Sequence, residues 1–143
     1  MTAELPVLSI TFFIRGEDLN PALITTELSV FPDQAWRKGE RIRTKTPSGN
    51  VVETPVVATE GGWKLFIPDR LSDSTFEEQL AYWSGFIGGN EPALTRISTS
   101  GFQMLFICYV SAPDGFVLEM PPEFLALAGR SQIAVELHFF YIE

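Results

Sequence analysis

The sequence predicts an α+β domain: a single, mostly antiparallel sheet with two or three helices packed on one face, ferredoxin-like in character. Three observations predict it. Apolar residues alternate with others at the period of a strand near both ends of the chain, at Leu8 to Ile14 and at Ile133 to Tyr141. Helix starts, each marked by a cap or a proline, are few. Strand-like stretches follow one another too often for a doubly wound parallel sheet. The 143 residues, 45% of them hydrophobic and 13% aromatic, are read as one globular domain over 1–143. A chain of that size buries about 68% of its unfolded surface and needs neither metal nor disulfide to fold.

Taken in order, Leu8, Ile10, Phe12 and Ile14 mark the first strand, and Gly16-Glu17-Asp18 turns the chain. Asn20 caps a helix with Pro21 at its first position, where the missing N–H costs nothing. Leu19 and Ile24 have the spacing of a hydrophobic staple; Ile24 and Leu28 continue the stripe, and Phe31-Pro32 closes the unit. Arg41, Arg43 and Lys45 alternate with Ile42 and Thr44 as a strand with one basic face. After the Pro47-Ser48-Gly49-Asn50 turn, Val51-Val52 opens an extended stretch that Pro55 confines to an edge. Trp63 to Ile67 is a strand stopped by Pro68-Asp69.

Ser74-Thr75-Phe76-Glu77 has the form of a capping box. Phe76, Leu80, Trp83 and Ile87 follow at helical spacing, with Glu77, Glu78 and Gln79 outside the stripe, and Gly88-Gly89 is read as the end of the helix. A short helix or irregular turn is expected over Pro92 to Ser98. Phe102 to Val110 is apolar on both faces apart from Gln103, which predicts a strand covered on both sides. Phe116 to Glu119 is expected as a short return strand. Pro121-Pro122 opens a helix through Ala128, with Gly129 at its C-terminal side, and Gln132 to Ile142 is the last strand.

One histidine and one cysteine bound the chemistry, because most nucleophilic and transition-metal sites gather two or three of His, Cys, Asp and Glu. Neither a cofactor nor a metal is expected. Cys108, in an apolar run, is read as a small buried hydrophobe, and a lone cysteine has no internal disulfide partner. The opening Met1-Thr2-Ala3-Glu4-Leu5-Pro6 lacks the basic region of a leader, and no apolar run is long enough to span a bilayer. A cytoplasmic location is therefore expected. The net charge of −8 argues against nucleic acid as a partner.

That charge is uneven: five of the ten Lys and Arg residues fall between Arg37 and Lys45. Trp36, Arg37, Lys38, Arg41 and Arg43 combine an aromatic ring with cations, a pairing enriched at interfaces and anion sites. The alternative is that these charges only guard an edge strand. Glu17 and Asp18, in the turn after the first strand, are the acidic counterpart, although carboxylates before a helix also serve its dipole. A short helix reverses the chain, so the two segments are expected to border one end of the sheet as a bipolar patch. Glu136 and His138 share a strand face and are the weaker candidate, for an enzyme.

Several of these residues, in order, resemble a bacterial family of small uncharacterised domains catalogued as domain of unknown function 4279. The matching pieces are Gly16 to Pro21, Phe31-Pro32, Lys38-Gly39-Glu40, Gly62-Trp63, Phe76 to Leu80 and the Ile133, Val135, Leu137 strand. The resemblance implies a bacterial cytoplasmic protein and brings no catalytic residues. By analogy of class with other small acidic domains, the expected function is non-catalytic protein binding, with an immunity protein that neutralises a toxin as its specific form. The alternatives are a small-molecule or anion sensor and, less favoured, a carboxylate-dependent enzyme.

Overall fold

The computed structural model describes residues 7–46, 48–112 and 117–141. Its organising strand is β1 (Val7–Gly16), which pairs antiparallel with β5 (Gly61–Leu65) on one side and β6 (Gln103–Ala112) on the other. β2 (Gln34–Trp36) lies outside β5, and β7 (Ile133–Tyr141) lies outside β6, giving the order β2-β5-β1-β6-β7. β3 (Arg41–Lys45) and β4 (Val51–Val57) form a separate two-stranded hairpin. The sheet is mostly antiparallel, as expected; β6 and β7 run parallel because a helix connects them.

Ferredoxin-like character is not confirmed. β1 and β2 do run parallel with β5 between them, as in a split β-α-β unit. The second β-α-β unit is not split, since β6 and β7 are direct neighbours.

Among the described residues three α-helices cover one face. α1 (Pro21–Leu28) begins as its sequence requires: the Asn20 side chain accepts from Ala22 N–H at 3.1 Å, and Pro21 occupies the first turn. Leu19, Ile24 and Leu28 are buried, and Ser29 ends the helix in the left-handed region at φ 54°. α2 (Phe76–Thr99) lays Phe76, Leu80, Trp83, Ile87, Leu94 and Ile97 on the sheet, and α3 (Pro122–Arg130) adds Phe124 and Ala128. They meet Ile10, Phe12, Ile14, Trp63, Met104, Phe106 and Cys108 in one core.

Several local expectations need correction. Thr75, not Ser74, caps α2 by accepting from Glu78 N–H at 3.2 Å, while Ser74 Oγ donates to Leu71 C=O. Gly88-Gly89 does not end the helix. The break comes at Asn90 (φ −131°, ψ 15°), two residues before Pro92, and a second helical segment runs on to Thr99. β5 starts at Gly61 rather than Trp63, and β2 is a strand that the sequence pattern does not predict. Residues 117–120 form no strand, and the rest of that expected strand, Phe116, lies outside the described residues, as does Ile142.

Gln79 is the most instructive correction. β5 pairs with β1 over Phe12–Gly16, which leaves the first half of that edge of β1 without a strand neighbour among the described residues. Gln79 is fully buried there: its Oε1 accepts from Ile10 N–H at 3.1 Å and its Nε2 donates to Leu8 C=O at 2.9 Å. Trp83 Nε1 donates to Ile10 C=O at 3.1 Å. Two helix side chains thus satisfy backbone groups that a strand would otherwise pair, and buried backbone groups left unpaired are rare for energetic reasons.

Candidate functional site

The β3–β4 hairpin and the loops around it hold most of the residues singled out in the sequence. Its register shifts between Arg41 and Arg43, where Arg41 pairs Val57 and Arg43 pairs Glu53. Three residues of β4, including Pro55, are thereby set against Ile42 alone, and Thr54 Oγ1 donates to Ile42 C=O at 2.7 Å within this bulge. The hairpin is tied to its surroundings by Gly39 N–H to Ala58 C=O, Ala58 N–H to Glu40 C=O, and Gln34 Nε2 to Arg43 C=O.

The two charged segments do meet. Lys38 Nζ donates to Glu17 Oε1 at 2.6 Å, joining the turn after β1 to the loop after β2. That bond holds the Glu17 carboxyl below its ordinary value and the Lys38 ammonium above its own, with a smaller contribution to Lys38 from the Asp18 charge. Arg37, Arg41 and Arg43 are exposed, and Arg43 lies 3.6 Å from Glu53. A groove of about 450 Å³ is lined by Ala35, Glu40, Arg41, Arg43 and Glu53. Its two guanidinium groups are matched by two carboxylates, and its lining includes neither Arg37 nor an aromatic ring.

Trp36 is placed elsewhere. It is buried on the helix-free face of the sheet, with Nε1 donating to Glu60 C=O at 3.1 Å and its ring edge-on to Phe13 at 5.9 Å. A Cβ on Gly62 would collide with that ring, so the neighbouring strand must carry glycine for the indole to lie flat. Lys64 Nζ sits 5.0 Å from the Phe13 centroid and 5.8 Å from Trp36. Burial lowers the Lys64 pKa. Sequence reading missed Lys64 because an isolated lysine in an apolar strand looks like an ordinary solvated position.

Across the sheet, His138 Nε2 and Glu136 Oε1 are 2.6 Å apart on β7, and the imidazole meets the Tyr109 ring edge-on at 5.4 Å. The Tyr109 hydroxyl is raised by burial and by the Glu136 charge. This pair opens from a helix-free strand face and does not line the groove. Cys108 is buried in the core, where desolvation pushes its thiol up to about 12. Among the described residues no three His, Cys, Asp or Glu side chains gather as a metal site, and no helix is long and apolar enough to cross a membrane.

Fold and surface therefore define a small α+β domain with a helix-covered core and a charged hairpin at one end. The chain belongs to the family described as Domain of unknown function (DUF4279), whose model matches residues 7–141. No curated protein and no solved structure matches it.

Proposed function

We propose that this chain is a non-catalytic binding domain whose partner is a protein, engaged by the hairpin end of the sheet through Glu17, Asp18, Arg37, Lys38, Arg41 and Arg43. The observation that carries the reading is the 2.6 Å Glu17–Lys38 pair, which joins two loops into one patch bearing both signs of charge. Mixed charge on loops held by a rigid sheet suits recognition of a protein surface, where complementarity sets partner choice and association rate. Inhibition of a toxin by direct occlusion, as in an immunity protein, is the specific form we favour, with the overall charge of −8 steering a basic partner inward. A small anion is the second reading, favoured by the two guanidinium groups in the groove and opposed by Glu40 and Glu53 beside them.

The test is affinity capture from the native cell with the unaltered chain and with Arg41→Glu/Arg43→Glu. One protein should be recovered reproducibly by the first, less so as salt rises, and lost with the second, while the thermal midpoint stays unchanged. Recovery of the same protein by the double variant at low salt would reduce the patch to an edge guard. Failure of the unaltered chain to recover any protein would overturn the binding reading.

A further inference from the structure

Of the two outer strands of the main sheet, β2 is three residues long, whereas β7 runs for nine and has no described strand on its far side. Long edge strands are normally blunted by Lys, Pro or a bulge. β7 (IAVELHFFY) contains no Lys, Arg or Pro, and its register against β6 is unbroken from Met104–Ile133 to Ala112–Tyr141. Its second half exposes large apolar side chains on both faces, beside His138: Leu137, Phe139 and Phe140 are 42%, 62% and 54% exposed.

The direction of its free backbone groups follows from the interior of the sheet. Ile10 gives its N–H to Gln79 and its C=O to Trp83, so these groups point away from β6. Its register partner Cys108 therefore directs its own toward β7. In a parallel pair, Cys108 bonds the residues flanking its partner Leu137, namely Glu136 and His138. Val135, Leu137 and Phe139 consequently present their N–H and C=O groups outward, as one end of an unpaired ladder.

We propose that β7 is a self-association edge: two copies of this chain pair their β7 strands antiparallel about a two-fold axis at Leu137, joining two five-stranded sheets into one. Self-complementarity and the Glu136 carboxylate select that register. With Leu137 opposite its own copy, Val135 falls opposite Phe139 and every outward ladder group finds a mate. Glu136 then lies opposite the second copy's His138, and His138 opposite its Glu136, in the closer, non-hydrogen-bonded type of pair. Sliding by one ladder step either sets Glu136 against Glu136 or sets His138 against His138. The overall charge of −8 per copy opposes association, so the dimer should strengthen with moderate salt.

Sedimentation equilibrium over a range of concentrations should show a reversible monomer–dimer equilibrium. Leu137→Arg, at an exposed position, should abolish the dimer while leaving the circular dichroism and thermal midpoint in place. Register is tested by mild oxidation, with little background because Cys108 is buried. Leu137→Cys should cross-link to dimer, since directly opposed residues of this kind have Cα atoms about 5.5 Å apart, within disulfide reach. Phe139→Cys should not, because its two copies would lie about 13 Å apart along the strands. A chain that stays monomeric at every concentration, or one in which Phe139→Cys cross-links and Leu137→Cys does not, overturns the proposal. Arg41→Glu/Arg43→Glu takes each copy from −8 to −12, so it is compared at moderate salt, where the added repulsion is screened and the dimer should be unchanged; this keeps the test separate from that of the hairpin.

Discussion

The helix-covered face of the sheet and the β3–β4 hairpin are built on opposite terms. Under the helices, the side chains of Ile10, Phe12, Ile14, Trp63, Phe106 and Cys108 are withdrawn from water, and Gln79 is spent on backbone groups of β1. In the hairpin, only Ile42, Thr46 and Thr54 are even half-buried among the described side chains, and its charges pair in water. Exposed ion pairs contribute little to stability, whereas apolar burial contributes about 25 cal/mol per Å². The stability of this domain therefore resides in one region, and its exposed charged chemistry in the other. The hairpin can change its charges without threatening the fold.

The comparison breaks most visibly at Trp83. Its indole is fully buried, contacts Phe106 at 5.2 Å and Phe86 at 5.4 Å between ring centroids, and donates to Ile10 C=O. Trp83→Ala should cost about 3–5 kcal/mol, since it leaves both a cavity and an unpaired carbonyl. Urea unfolding monitored by far-ultraviolet circular dichroism measures it. A cost as small as that of a hairpin substitution would mean the core is not where the stability lies.

Gln79→Leu is the sharper and smaller test. Leucine keeps most of the volume but strips the partners from Ile10 N–H and Leu8 C=O, so a loss of about 1–3 kcal/mol is expected. Leucine at an exposed position of the same helix, Glu77→Leu, should cost less, about 0.3–1 kcal/mol for the acidic charge it removes from the first turn. Equal effects would show that the side-chain bonds to β1 contribute nothing beyond helix propensity.

This pair of positions also explains what was legible in the sequence. The Phe76, Leu80, Trp83, Ile87 stripe could be read because burial repeats at the period of the helix, and Asn20-Pro21 because a cap is a local device. Gln79 could not, since its burial depends on where β5 stops pairing with β1, a fact of tertiary structure. The same holds for Asn90: the glycines before it are better helix breakers, but Pro92 and the path over the sheet place the kink. In the surface patch, the meeting of Glu17 with Lys38 followed from chain reversal by a short helix. Trp36 was misplaced among the surface candidates because an aromatic beside cations reads alike on either face of a strand. Its burial against Phe13 depends on the small Gly62 across the ladder.

The smallest expected effect lies in the Glu17–Lys38 pair, where both groups are fully exposed. The bond lowers the folded-state pKa of Glu17, so its contribution to stability is present above the ordinary carboxylate value and is lost as pH falls through the lowered one. Lys38 is raised, so its contribution is present below the ordinary lysine value and disappears as pH rises through the higher one. Between these limits, Lys38→Met should leave the thermal midpoint unchanged within error, because solvent and salt screen the pair. The informative reading is local. Titration of the Glu17 carboxyl followed by nuclear magnetic resonance should give a midpoint below that of free glutamate. That midpoint should return to the ordinary value in Lys38→Met and move toward it at high salt. An ordinary Glu17 midpoint in the unaltered chain would mean the turn after β1 and the loop after β2 do not hold together in solution, and the two-signed patch would lose its hinge.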